Sequence, residues 1–255
     1  MRLGRPLMAL VTAALMIAGA RAQDENSLTR DEVAQFKKKL VNALEALGQP
    51  PAGYSVEHES FNLPTDAYKD QTSGRYYPLN AGADRNYGTQ KKAQATGEEI
   101  QKDYQKKMLE AQAKGDYQEL SKLAQEMQKK MSETQLKAIE GNKEPVSVAV
   151  HFNSNPGAVI DPDAVLFERP GVIALKTANE GKPGYCRVAI YCDPVSLKET
   201  RQLSRVNLKQ PEGGVGRRTV VLSVTVEFDG PASELEPWAK KVDTKKLLAQ
   251  IDTAR

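Results

Sequence analysis

The hydrophobic period of the chain changes near residue 145, and this change constrains the fold more than any other feature. Beyond it, apolar residues alternate with polar ones in three stretches, 146–153, 186–192 and 219–228. Alternation of this kind is typical of strands with one buried face. Two shorter apolar stretches, 164–167 and 172–176, predict two further strands. The pattern favours an antiparallel or mixed sheet over a parallel sheet buried on both faces.

Helical spacing predicts the elements that accompany this sheet. Thr29 and Glu32 match the Thr-x-x-Glu capping box at the start of a helix over 29–47. Residues 89–140 predict a helical hairpin with a narrow apolar stripe, and short helices are predicted at 234–241 and 243–251. Because an apolar sheet face must be covered, we predict an α+β protein. Its antiparallel or mixed sheet is covered on one face by helices, with a long helical hairpin N-terminal to the sheet.

The first 22 residues are predicted to be a secretory signal peptide. Arg2 and Arg5 precede a short apolar run, and small residues at Ala20 and Ala22 suit cleavage after Ala22. The run is too short for a transmembrane helix. The expected location is therefore the periplasm or the secreted fraction. Behind the signal peptide we predict three segments: an N-terminal helix with a Tyr/Gly/Pro-rich strap, the helical hairpin, and the α+β domain, over 23–88, 89–140 and 145–255.

Charge argues against a nucleic-acid partner. The whole chain has 36 Lys plus Arg, 33 Asp plus Glu and a net charge of +3. Removing Arg2, Arg5 and Arg21 with the signal peptide lowers the basic count to 33, which equals the acidic count. A protein without a bulk positive field lacks the main attraction to nucleic acid.

Tyrosines are concentrated in the strap, where turn formers interrupt any long element. Residues 54–61 predict a short strand, and the rest of 50–88 predicts a long loop. Tyrosine rings bury readily, so the strap is predicted either to pack on the body or to expose a surface for a sugar-like or peptide-like ligand. A basic patch between 198 and 218 is a second candidate surface. The candidate binding residues are Tyr68, Tyr76, Tyr77, Tyr87, Arg201 and Arg205.

Catalytic and cofactor motifs are missing from the sequence. It contains no Gly-x-Ser-x-Gly elbow, phosphate loop, His-Glu-x-x-His or Cys-x-x-Cys motif. His58 and His151 lack a ligand pattern for a metal, and the glycines from Gly214 predict a flexible connection rather than a dinucleotide site. We therefore predict no catalytic residues, no metal and no cofactor.

The two cysteines are predicted to remain unpaired. Cys186 and Cys192 lie six residues apart in one predicted strand. Their Cα atoms would then be ~20 Å apart, whereas a disulfide tolerates only ~4.4–6.8 Å. Both point to the apolar face, where a thiol packs as a small hydrophobic group. We predict two buried, reduced thiols.

Three functions remain open on the sequence. The missing catalytic motifs favour a non-enzymatic binding or interaction protein of the cell envelope, with an envelope protein or a glycan as partner. A carboxylate-based hydrolase acting on glycans is the first alternative, since sequence cannot show which carboxylates face each other across a cleft. The second is a periplasmic holdase-type chaperone, because a helical hairpin beside a β body resembles arm-bearing holdases in architecture, without a shared motif.

Overall fold

The computed structural model describes residues 26–140, 143–154, 157–193, 205–208, 211 and 213–252, with side chains at 90–95 and 137–140 excluded. The predicted signal peptide and the candidate Arg201 lie outside these residues. Over the described chain, no helix combines the length and the apolar character that crossing a membrane requires.

The described residues form an α+β fold. The helices are α1 (Arg30–Glu45), α2 (Gln90–Ala113), α3 (Tyr117–Glu140), α4 (Ala232–Ala239) and α5 (Thr244–Leu248). The strands are β1 (Ser55–Asn62), β2 (Ala81–Gly88), β3 (Val146–Phe152), β4 (Val165–Arg169), β5 (Val172–Ala178), β6 (Tyr185–Cys192) and β7 (Val224–Pro231). The capping box predicted for α1 is confirmed, since Thr29 Oγ1 accepts from the Glu32 N–H and the Glu32 carboxylate accepts from the Thr29 N–H.

All seven strands belong to one antiparallel sheet in the order β1-β2-β3-β7-β6-β5-β4. The strand predicted over 54–61 is confirmed as β1, but the loop predicted around residues 81–88 is wrong, because this segment forms β2. Its inward residues Ala81 and Ala83 are too small to produce a strong apolar alternation. Since β1 and β2 join the sheet, α2 and α3 lie between β2 and β3 rather than N-terminal to the whole sheet.

Apolar packing occurs on both faces of the sheet. The large hydrophobic cluster includes alternate residues of β3, β6 and β7 together with residues of α1, α4 and α5. A smaller cluster uses the opposite face of β5 and β6, where Ile173, Leu175 and Tyr191 pack with Val206 and Leu208. The prediction of a single apolar face is therefore wrong for β6. The strand predicted over 219–228 begins later in the structure, because β7 starts at Val224.

Trp238 of α4 joins distant parts of the large cluster. Its ring meets Tyr87 and Phe228 edge to face, at centroid distances of 5.0 and 5.1 Å. Its indole N–H donates to the Leu47 carbonyl at 2.8 Å. A buried Trp needs such a partner for its N–H. The contact therefore fixes the C-terminal end of α1 against α4.

Helices α2 and α3 have a hydrophobic cluster of their own. Tyr104 and Ala111 of α2 and Leu123 of α3 are its buried members. The chain between the helices turns at Gly115, which has a φ of +71°, and the Asp116 carboxylate accepts from the Glu119 N–H at 3.0 Å. Side-chain capping of this kind satisfies a free amide at the start of α3.

Candidate functional site

Residues 68–77 of the tyrosine-rich strap form a short two-stranded ribbon. Lys69 pairs with Tyr76 in an antiparallel bridge. The Tyr77 N–H donates to the Tyr68 carbonyl at 3.0 Å, and the Asp70 N–H donates to the Arg75 carbonyl at 2.7 Å. We call this segment the tyrosine ribbon.

The turn of the ribbon is built by Asp70. Its Oδ1 accepts from the Thr72 and Ser73 N–H groups at 3.0 and 2.7 Å. The Gly74 N–H donates to the Asp70 carbonyl at 2.8 Å, and Gly74 has a φ of +67°, which favours glycine. An aspartate that bonds the amides that follow it and a glycine with positive φ are ordinary turn chemistry.

One face of the ribbon exposes two tyrosine rings. Because Tyr68 and Tyr77 are directly opposite in the antiparallel pairing, their side chains share a face. Tyr68 is 59% exposed and Tyr77 is 51% exposed. By strand alternation Asp70 and Arg75 lie on this same face, and the Tyr77 hydroxyl donates to Asp70 Oδ2 at 2.8 Å. Two rings, a carboxylate and a guanidinium therefore share this face.

Hydrogen bonding holds the Tyr77 ring in place over a wide pH range. The Ser73 amide, followed by the Tyr77 hydroxyl, lowers the pKa of Asp70 to about 2. The same hydrogen bond to Asp70 raises the pKa of Tyr77. The carboxylate therefore remains an acceptor and the phenol remains a donor at neutral pH, so the ring orientation does not depend on small changes in pH.

The ribbon is tied to the body through the segment 213–215. Tyr76 and Val215 exchange two backbone hydrogen bonds, at 2.9 and 2.7 Å, and the Ser73 hydroxyl donates to the Gly213 carbonyl at 2.7 Å. Gly214 has a φ of +84°, and a Cβ there would lie 2.5 Å from the Tyr76 carbonyl oxygen. The flexible connection predicted from Gly214 is therefore wrong at this point, because the backbone pairs closely with the ribbon.

Arg218 contacts the side of the ribbon that faces the body of the protein. Its Nε lies 2.9 Å from a Glu32 carboxylate oxygen, and its Nη1 donates to the Ser27 carbonyl at 3.0 Å. The guanidinium lies 5.8 Å from the centre of the Tyr76 ring, and Lys69 Nζ lies 5.3 Å from it. Tyr76 is therefore held between the ribbon and the body as an anchor.

The candidate residues divide between surface and interior. Tyr68 and Tyr77 are on the exposed face, and Tyr76 is the half-buried anchor. The prediction of Tyr87 as a binding residue is wrong, because Tyr87 is only 2% exposed and packs against Trp238 in the large cluster. Arg205 is exposed and pairs with Val159, apart from the ribbon pairing.

Sequence reasoning missed Asp70 and Arg75, the polar members of the exposed face. The available signal was the turn former Asp70 with Gly74 between the tyrosines, which predicts a tight turn. A turn that brings residues 68 and 77 opposite each other also brings 70 and 75 together. A long loop, which the sequence predicts for the strap, implies no such pairing.

A separate surface pocket of about 460 Å³ lies between the C-terminal end of α1 and α4. Pro50, Pro51, Pro237 and Trp238 contribute to its lining, and Glu234 is its single carboxylate. Glu234 is already paired with Lys143 at 2.7 Å. A glycoside hydrolase needs two carboxyl groups flanking its substrate. This pocket therefore does not supply the pair required by the hydrolase alternative.

The described residues contain no group of three or more His, Cys, Asp or Glu side chains arranged to hold a metal ion. His151 lies on a strand beside Gly82, and His58 is exposed on β1. No family model, curated protein or solved structure matches the chain.

Proposed function

We propose that this protein is a non-enzymatic binding protein of the cell envelope that contacts a glycan through the exposed face of the tyrosine ribbon. The observation that carries the proposal is the pair of half-exposed rings, Tyr68 and Tyr77, which the ribbon holds side by side. Contiguous exposed apolar surface with a polar rim is typical of interaction and ligand-binding sites.

The chemistry of the face suits a sugar. A pyranose ring presents an apolar C–H face, against which a tyrosine ring packs, and a rim of hydroxyl groups. Tyrosine gives large, rigid contact area at a low cost in conformational entropy. Asp70 and Arg75 supply an acceptor and donors beside the rings, so hydroxyl groups at the rim find partners of both kinds.

Pre-organisation strengthens the proposal. The Tyr77 ring is fixed by the 2.8 Å bond to Asp70, and the ribbon is fixed by its pairing with Val215. A surface that is ordered before binding loses little entropy when the ligand arrives. The location follows from the predicted signal peptide, since an exported protein meets the glycans of the envelope.

A glycan array followed by titration of the best ligand tests the proposal. Tyr68→Ala and Tyr77→Ala should each weaken binding at least tenfold, because each removes a stacking surface. Tyr117→Ala is the matched control, since Tyr117 is 80% exposed on α3, away from the ribbon. Binding that is equally weakened by all three variants, or absent from the whole array, would contradict the proposal.

The same preparations separate binding from hydrolysis. Incubation with the bound glycan should release no reducing ends. Turnover that a single carboxylate substitution abolishes would replace the binding proposal with the hydrolase alternative.

A second candidate function concerns α2 and α3, proposed here as a helical hairpin that grips a protein client. It is favoured by exposed apolar side chains on these helices: Leu109 is 67% exposed and Leu136 is 58% exposed. The double variant Leu109→Asp/Leu136→Asp should lose suppression of the aggregation of reduced insulin, a holdase assay. Gln101→Asp/Gln105→Asp changes exposed polar positions of α2 by the same charge and should retain it. Equal activity of both variants would exclude this function.

A further inference from the structure

The exposed face of the tyrosine ribbon carries one negative and one positive side chain. Asp70 and Arg75 are neighbours across the ribbon, joined by the 2.7 Å bond from the Asp70 N–H to the Arg75 carbonyl. They differ in what their side chains already bond within the protein. Since binding surfaces are complementary in charge to their ligands, this difference indicates the charge of the ligand that suits the face.

The Asp70 carboxylate is largely satisfied inside the ribbon. Its Oδ1 accepts from the Thr72 and Ser73 N–H groups, and its Oδ2 accepts from the Tyr77 hydroxyl. A carboxylate has about four acceptor positions, so three internal donors leave about one open. Most of the bonding capacity of Asp70 therefore holds the turn and the Tyr77 ring, and little is left for a ligand.

The Arg75 side chain is available by comparison. It is exposed, and it forms no ion pair with an Asp or Glu of the described chain. A guanidinium presents five N–H donors in a planar fork that matches the two oxygens of a carboxylate. Arg75 precedes Tyr77 by two residues on the same side of the strand, so their Cα atoms are about 7 Å apart. A group attached to a sugar on the Tyr77 ring is therefore within reach of the guanidinium.

Two further cations lie near the ribbon. Lys69 and Arg217 are exposed, and neither forms an ion pair within the part of the chain that the structure describes. Lys69 Nζ is 5.3 Å from the centre of the Tyr76 ring, and strand alternation places it on the opposite side from Arg75. Arg217 follows Val215, which pairs with the ribbon, by two positions. Both cations add positive potential around the exposed rings.

The carboxylates beside these cations are already bonded. Asp66 Oδ1 accepts from the Ser27 hydroxyl at 3.2 Å, and Glu32 pairs with Arg218 at 2.9 Å. Neither acid forms an ion pair with one of the three exposed cations. The surroundings of the ribbon thus combine engaged carboxylates with unpaired positive side chains, and such a surface attracts an anion.

We propose that the glycan bound by the tyrosine ribbon is acidic, and that the carboxylate of a uronic acid unit pairs with Arg75. This inference rests on the proposed function, because the rings of Tyr68 and Tyr77 supply the stacking surface. The carboxylate of a uronic acid projects from the rim of the sugar ring. The apolar face of the sugar can therefore pack on Tyr77 while the carboxylate accepts two N–H bonds from the guanidinium.

Calorimetric titration with matched sugars at neutral pH tests the inference. The acidic probes are tetragalacturonate and tetramannuronate. The control for each is the same oligosaccharide after reduction of its carboxylates to hydroxymethyl groups, which keeps the sugar rings and removes the charge. At least one acidic probe should bind saturably, and at least tenfold more tightly than its reduced form. Equal affinity for both forms, or no binding of either acidic probe, would overturn the inference.

Arg75→Gln then locates the charge contact. This variant should weaken binding of the acidic probe at least tenfold and change affinity for the reduced form less than twofold, since only the carboxylate loses a partner. Arg205→Gln is the matched control, because it removes the same charge from an exposed position that pairs with Val159. It should change affinity for either form less than twofold. Equal weakening by both variants would show general charge attraction and would overturn the pairing with Arg75.

Salt provides an independent measure of the charge contact. Raising NaCl from about 50 to about 500 mM screens charge attraction. It should weaken binding of the acidic probe several-fold and leave binding of the reduced form nearly unchanged. Equal salt dependence of the two forms would contradict a carboxylate contact.

Tyr77→Ala distinguishes failure of this inference from failure of the proposed function. It should weaken binding of both forms, because both use the stacking surface. If the two forms bind equally well and both require Tyr77, glycan binding stands and the preference for an acidic sugar is wrong. If Tyr77→Ala changes neither affinity, the proposed function is wrong, and this inference with it.

Discussion

The helix pair α2–α3 and the sheet with its packed helices are stabilised in different ways. The helix pair has three buried members in its cluster, Tyr104, Ala111 and Leu123, all from the two helices. The large cluster instead joins residues that are far apart in sequence, as in the hydrogen bond from Trp238 to the Leu47 carbonyl.

The difference shows how two segments of one chain can differ in how cooperatively they unfold. Helix stability comes mainly from an apolar face packed on a partner, and α2 and α3 have only a narrow one. Strands depend on neighbours that are distant in sequence, so the sheet forms as a unit. Local opening follows regions with few buried apolar contacts. We expect the helix pair to open without the sheet, and the following changes test that expectation.

Trp238→Ala should cause the largest loss. It removes the ring between Tyr87 and Phe228 and leaves the Leu47 carbonyl without its partner. Deleting a buried Trp or Phe side chain costs ~3–5 kcal/mol of unfolding free energy. Urea unfolding followed by circular dichroism measures it. A loss below about 1 kcal/mol would mean that the ring does not join these elements.

Gly214→Ala tests whether the tyrosine ribbon belongs to the sheet body. The new Cβ would meet the Tyr76 carbonyl at 2.5 Å in a backbone with a φ of +84°. Strain of this kind costs ~1–3 kcal/mol, and the variant should also lose glycan binding. Gly216→Ala is the control, because a Cβ there has open space and needs no positive φ. Equal behaviour of the two variants would contradict the close pairing.

Met127→Asp should loosen the helix pair and spare the sheet. The half-buried Met127 packs against the cluster of Tyr104, Ala111 and Leu123, and a carboxylate there loses these apolar contacts and must be partly desolvated. The helical signal should fall by a measurable fraction, while the thermal midpoint of near-ultraviolet dichroism from Trp238 shifts by less than about 3 °C. A joint loss of both signals would show that the two regions unfold together.

The smallest effect is expected from thiol labelling, because this experiment leaves the sequence unchanged and only tests how accessible the two cysteines are. Burial raises the pKa of Cys192 to about 12 and also raises the pKa of Cys186. The reactive thiolate is therefore scarce at pH 8 in the folded protein. A thiol reagent should modify neither residue in the native protein and two per chain after denaturation without reductant. Zero thiols in the denatured monomer would show a disulfide.

Several elements follow from local sequence. The capping box of α1 and the alternating strands β3 and β6 lie close to their predicted positions, because each pattern acts over neighbouring residues. Both cysteines are buried and free on the predicted strand, β6. β2 escaped prediction because Ala81 and Ala83 are small, and a small inward residue resembles a loop residue in sequence.

The candidate site was predictable only in part. Tyrosine content indicated the strap, but the sequence could not distinguish the exposed Tyr77 from the buried Tyr87. A tyrosine suits both positions, since its ring is apolar and its hydroxyl is polar. The pairing of Tyr76 with Val215 leaves the ring of Tyr77 exposed. Packing against Trp238 buries the ring of Tyr87.

The sequence by itself determined the periods, the turn formers and the caps, and with them the α+β class, because these depend on residues within a few positions of each other. The tertiary structure decided the strand order and the partners of the strap, such as the pairing of Tyr76 with Val215. Contacts of this second kind join residues that are far apart in sequence. Their energies depend on which surfaces meet, and one-dimensional spacing does not contain that information.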